Sequence, residues 1–177
     1  IFRMSPDKLR SKVVWQELSN KLEVAVIPDD PQVIPIQTAY LVAAPTRVAH
    51  GLAAFLNSTP IRLYTAVFAE RARGAYFRHF SWVLGALPLP ERVKDFLEGE
   101  TPSQIFERLV EISQALHENP QRSDRPVFEV ELDSIVAGLY GLSEAQLEAM
   151  REYYTFITPS QATTSLIDQE EEVEVDE

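Results

Sequence analysis

The chain has no cysteine and only three histidines. The first absence removes disulfides and thiolate chemistry, and the two together exclude a zinc finger. Glycine is scarce, with six residues and no Gly-x-Gly among them, so no glycine-rich loop is available to cradle a nucleotide or a methyl-donor cofactor. There is no Gly-Lys-Ser/Thr phosphate loop and no Gly-x-Ser-x-Gly nucleophile elbow. Pro6-Asp7 and Pro28-Asp29 begin like magnesium-dependent nuclease motifs, but no Asp/Glu-x-Lys follows either. No apolar run approaches a membrane span, and no basic-then-apolar leader opens the chain. These absences fit a cytoplasmic protein with no membrane partner. The first residue is Ile1 rather than methionine, which suggests a piece of something larger.

What is present describes an ordinary globular chain: 177 residues, 45% hydrophobic and 24% charged. The net charge of −11 is unevenly spread. Residues 1–90 carry +4 and residues 91–177 carry −15. Two basic islands stand out. Arg3, Lys8, Arg10 and Lys12 face only Asp7, and Arg62, Arg71, Arg73 and Arg78 face only Glu70, with His79 adjacent. Tyr76, Phe77 and Phe80 interleave with the second island, where arginine can grip phosphates or guanine edges and aromatics can stack. The plainer reading is a helix C-terminus whose arginines favour its dipole, which explains Arg71 and Arg73 but not Arg78. Asp168, Glu170, Glu171, Glu172, Glu174, Asp176 and Glu177 make the tail acidic. Such a run repels a polyanion or is simply solvated.

Local patterns sketch the elements. Leu22, Val24 and Val26 alternate as a half-exposed strand, and Pro28-Asp29-Asp30-Pro31 is a turn. Residues 33–42 read as further strand, with Pro35 confining part of it to an edge. Val48, Leu52, Phe55 and Leu56 mark a short amphipathic helix. Thr59 caps the next helix, with Pro60 at its first position and Ile61, Tyr64, Val67 and Phe68 on one face. His50 reads as a surface or capping residue without a partner. Residues 76–82 read as an aromatic strand with Phe77 inward and Tyr76 and Arg78 outward. Ile105, Leu109, Ile112 and Leu116 form a helical stripe, and the Glu107/Glu111 pair faces water rather than a metal. Phe128 to Leu132 alternates briefly before a helix from Ile135. Ser143 and Gln146 form a capping box for a last helix, with Leu147, Met150, Tyr154 and Phe156 on its buried side. From Thr158 onward the composition predicts disorder.

Four segments carry a resemblance. Leu56-Asn57-Ser58, a Gly-x-Tyr-Phe-x-x-Phe-Ser stretch over residues 74–81, and Leu87-Pro88-Leu89-Pro90 occur in the order found in the C-terminal target-recognition domain of TaqI-like adenine DNA methyltransferases. That group includes fused restriction-modification enzymes. Asp133 to Ser143, D-S-I-V-A-G-L-Y-G-L-S, resembles the helix that closes the same domain. The resemblance spans residues 2–155. It implies double-stranded DNA and an N-terminal methyltransferase domain of the parent chain as partners. It also implies an S-adenosylmethionine-dependent parent enzyme, with endonuclease activity left open. The adenine-holding Asn/Asp-Pro-Pro-aromatic motif is missing: neither Asp30-Pro31 nor Asn119-Pro120 is followed by a second proline. The chain by itself is therefore expected to lack catalysis and cofactor.

The expected fold is α+β: a small mixed or antiparallel sheet with packed helices, then a mostly helical subdomain. The expected divisions are a target-recognition core over 1–98, a helical subdomain over 99–157 and an acidic tail over 158–177. The expected DNA contacts are Lys8, Arg10, Lys12, Arg71, Arg73, Tyr76, Arg78 and His79. The DNA reading requires both basic islands on one face, away from the tail. The alternative is a protein-interaction module, with the tail binding a basic partner and no DNA affinity.

Overall fold

The computed structural model describes residues 10–29, 33, 35, 38–72, 76–99 and 103–158. Among them the fold is α+β, with seven helices and two small antiparallel sheets of three strands each. The first sheet joins β1 (Lys12–Gln16) to β3 (Val24–Ile27) on one side and β4 (Ala39–Ala43) on the other. Val13 pairs with Val26 and Val42, and Trp15 with Val24 and Tyr40. The period of two therefore puts Val13, Trp15, Val24 and Val26 on one face, and all four are buried. That face packs on α1 (Thr46–Asn57), whose Ala49, Ala53, Phe55 and Leu56 join the same core. Beyond α1 lie α4 (Glu91–Glu98) and α5 (Gln104–Glu118), which add Phe96, Phe106, Leu109 and Val110. Gly51 lets α4 come close: a Cβ there would meet the Phe96 ring at 2.6 Å. α6 (Arg125–Leu139) completes this core with Leu132 and Val136, so the core runs unbroken from β1 to α6.

The second sheet is smaller. β2 (Leu18–Ser19), β6 (Phe77–Arg78) and β5 (Glu70–Arg71) pair in that order. α2 (Thr59–Phe68) and α7 (Glu144–Ile157) pack with β6 around a satellite core of Leu63, Ala66, Phe77 and Ile157.

Several expectations change. The aromatic strand is only Phe77–Arg78, and Ser81–Gly85 turns into the short helix α3. Phe128 to Leu132 lies inside α6, where Leu132 and Val136 at i, i+4 meet the core. Ser58 rather than Thr59 is the N-cap of α2. On the expected apolar face of α2, Ile61 is buried and Tyr64 half-buried against the core, but Val67 and Phe68 point outward, 54% and 56% exposed. Phe156 is 83% exposed, not buried, while Ile157 takes the inward position. His50 is buried and has a partner: its Nδ1 lies 3.0 Å from Ser113 Oγ, and its ring meets His117 edge-on. The capping box forms as expected, with Gln146 N donating to Ser143 Oγ and Ser143 N to Gln146 Oε1. Residues 159–177, which hold the acidic tail, lie outside the described residues.

Candidate nucleic-acid interface

Three of the four segments that carry the resemblance, 56–58, 87–90 and 133–143, lie close together. Asn57 ends α1 beside β3, an edge strand with unpaired backbone groups. Its amide works as a substitute strand: Oδ1 accepts from Val24 N at 3.0 Å and Nδ2 donates to Val24 O at 2.7 Å. Arg62, one turn into α2, donates to Asn57 Oδ1 and to Leu22 O, tying the same junction together. Ser58 turns its hydroxyl back onto Phe55 O, so the first free N–H of α2 needs an acceptor from elsewhere. Asp133 of α6 supplies it: Oδ1 accepts from Thr59 N at 2.7 Å, while Oδ2 accepts from Arg151 Nε of α7 at 3.2 Å. Phe55 stacks with Tyr140 at 6.2 Å, and Leu87 and Pro88 line the same cleft as Tyr140 and Leu142. Burial pushes the Tyr140 phenol up to about 12. These motif residues thus act as joints between sheet and helices.

The expected contact residues do not form one patch. Lys8 and Arg73 lie outside the described residues. Lys12 is fully buried, its ammonium donating to Arg10 O at 2.7 Å, so it does not present a charge to a ligand. His79 is also fully buried, which removes it as a contact. Its backbone is the link between the sheets: His79 N donates to Glu17 O at 2.6 Å, and Trp15 Nε1 donates to His79 O at 2.9 Å. Burial drives its imidazole down to about 4, against a small opposing effect of the Ser19 backbone. Arg78 is half-buried and paired with Glu17 at 2.9 Å. Arg71 is exposed and lies 5.2 Å over the Phe77 ring. Tyr76 is half-buried, its carbonyl accepting from Ala72 N. Arg10 is exposed at the other end of β1.

Arg71, Tyr76 and Arg78 are therefore gathered on the second sheet, next to Glu17. Arg10 is separated from them by the length of β1, roughly 17 Å at ~3.3 Å per residue. The islands are not one focus, and a single strand of DNA would pass about five phosphates over that span at ~3.4 Å each. Two features went unread in the sequence: the Arg62–Asn57–Asp133–Arg151 joint, and an apolar cleft of ≈ 340 Å³ lined by Tyr64, Val67, Phe68, Pro88, Leu142 and Met150. Lone aspartates and arginines give no signal of their partners when those lie as far apart as Thr59 and Asp133.

Among the described residues, no group of three or more His, Asp or Glu side chains is placed to hold a metal ion, and no helix is long and apolar enough to cross a membrane. The chain matches no known family model, and no curated protein matches it.

Proposed function

We propose that this chain is a DNA target-recognition domain, of the kind found in TaqI-like adenine DNA methyltransferases and fused restriction-modification enzymes. A catalytic domain elsewhere in the parent chain would use S-adenosylmethionine to methylate an adenine flipped out of the duplex. The observation that carries this reading is the proximity of three of its four motif segments: Asp133 caps the helix that follows Asn57-Ser58, and Leu87 and Pro88 line one cleft with Tyr140 and Leu142. Exposed Arg10 and Arg71, at opposite ends of β1, are the strongest remaining candidates for backbone contact, with Arg78 beside Arg71 once it exchanges Glu17 for a phosphate. The reading requires one duplex to reach both ends.

The test is selection from a random-sequence duplex pool, with affinity measured at two salt concentrations. Enrichment of one short adenine-containing site is expected. Arg71→Ala should weaken binding to all sequences alike and lower the salt slope by about 1. Absence of duplex binding at low salt, by the chain and by its parent, would overturn the reading.

The exposed Val67 and Phe68 beside the apolar cleft favour a second reading, in which this face docks on another protein domain, such as the parent's catalytic domain. A Val67→Ser/Phe68→Ser pair would then abolish that association while leaving duplex selection unchanged.

A further inference from the structure

A second cleft, ≈ 260 Å³, opens where α2, α6 and α7 meet, and its buried unpartnered side-chain atoms among the described residues, on Arg151 and Tyr154, can both donate. Thr59, Arg62, Glu129, Asp133, Arg151 and Tyr154 line it. Arg151 Nη2 and Tyr154 Oη are both shielded from solvent, and neither has a hydrogen-bond partner among the described residues. Arg62 uses Nε on Leu22 O and Nη2 on Asn57 Oδ1, and its Nη1 has no partner among the described residues. Burial raises the Tyr154 phenol, and the charge of Arg62, which lines the same cleft, acts against that rise.

The carboxylates of the cleft are each engaged with other donors, Glu129 through one oxygen and Asp133 through both. Asp133 gives one oxygen to Thr59 N and the other to Arg151 Nε. Glu129 is paired with Arg125 at 2.8 Å, and Glu148 and Glu144 hold the opposite amino group of Arg151, Nη1. A buried guanidinium N–H without an acceptor is costly, because its hydration is lost and nothing replaces it. The group that satisfies several converging donors at once is an oxyanion with three or four acceptor oxygens, and arginine forks fit phosphate best. The cleft has room for one with several waters, at about 30 Å³ per water.

We propose that this cleft is a binding site for a phosphate group, held by Arg62, Arg151 and the Tyr154 hydroxyl. Naming a nucleic-acid backbone as its source rests on the DNA reading above; the phosphate chemistry of the cleft does not.

The experiment follows the Nε–H signals of Arg62 and Arg151 by NMR in the nitrogen-labelled chain. Sodium phosphate is titrated against sodium chloride at matched ionic strength and neutral pH. The expected result is a saturable shift of both signals with phosphate only, in the millimolar range. Arg151→Gln should weaken it roughly tenfold, the scale of one charge-assisted bond. Tyr154→Phe, a change that keeps the packing, should weaken it by a smaller factor. An unchanged Thr59 amide signal would verify that each variant remains folded around the Asp133 cap. Equal shifts in chloride, or shifts indifferent to both variants, would mean that the donors are merely hydrated, and the site would be rejected. A short duplex is the second arm. If it displaces phosphate and moves the same two signals, the source is the nucleic-acid backbone. If duplex binds elsewhere without moving them, that source is wrong. If the chain binds no duplex while phosphate still shifts both signals, the site stands and the DNA reading falls.

Discussion

His79 is buried, and neither ring nitrogen has a hydrogen-bond partner among the described residues, an arrangement that penalises its charged form. Its folded pKa is about 4, against an ordinary value of 6.5. A depressed pKa means that the folded state binds fewer protons, so the stabilisation is present above 6.5 and is lost as pH falls toward 4. At about 1.4 kcal/mol per unit, the loss approaches about 3 kcal/mol. His50, also lowered by burial and by His117, acts in the same direction. Denaturation of the wild type and His79→Phe from pH 7 to 4 should therefore give curves that diverge, the variant losing less stability. Parallel curves would mean that His79 titrates normally. The burial was legible: the alternation that sends Phe77 inward also sends His79 inward. Grouping His79 with its charged neighbours by sequence proximity hid that. Lys12 is different, since nothing in Lys12-Val13-Val14-Trp15 says that the ammonium turns back onto Arg10 O.

At the scale of elements, α2 shows how little of a joint is visible locally. Thr59-Pro60 marked its start within one residue, because proline's missing N–H is tolerated there. Its cap is a carboxylate far along the chain. Asp133→Ala would leave Thr59 N without its acceptor and Arg151 without its most buried partner. The expected cost is about 2–3 kcal/mol, below the range for a fully buried pair because Arg151 keeps Glu148 and some solvent. Urea denaturation should show a lower midpoint at unchanged m-value. Gly51→Ala offers a second test. Helix propensity would favour alanine by up to about 1 kcal/mol. The added Cβ must instead displace Phe96, which is stacked on Phe106 at 4.4 Å, so a net destabilisation of about 1–2 kcal/mol is expected from thermal unfolding. Short amphipathic helices such as α1 and α5 were readable because their stripes repeat at 3.6 residues. The 77–82 segment was not, because two strand residues and a five-residue helix are too short to establish any period.

Across the whole molecule, the charge asymmetry of the sequence survives folding only in part. Pairing removes Arg78 from the basic surface through Glu17, and Lys21 pairs with Glu23 at 2.8 Å. Of the expected contacts among the described residues, the exposed arginines lie at the two ends of β1. If both ends touch one duplex, Arg10→Ala and Arg71→Ala should weaken binding additively, since sites more than about 10 Å apart seldom couple. A double variant much weaker or stronger than the sum would mean that the two arginines share one contact. The α+β class and most helices could be read from the sequence; the separation of the basic islands could not, because it depends on which strands pair.

The Asp133 cap also bears on how the chain reaches this structure. The start of α2 is completed only when α6 has docked, so a stretch near residue 60 waits for one near residue 133. Closing a loop of that length is entropically slow, and local helix formation alone cannot replace it. The chain should consequently fold as one cooperative unit rather than front half first, and a fragment ending near residue 98 should remain partly unfolded. A ribosome would have to deliver α6 and α7 before the sheet–helix junction could lock.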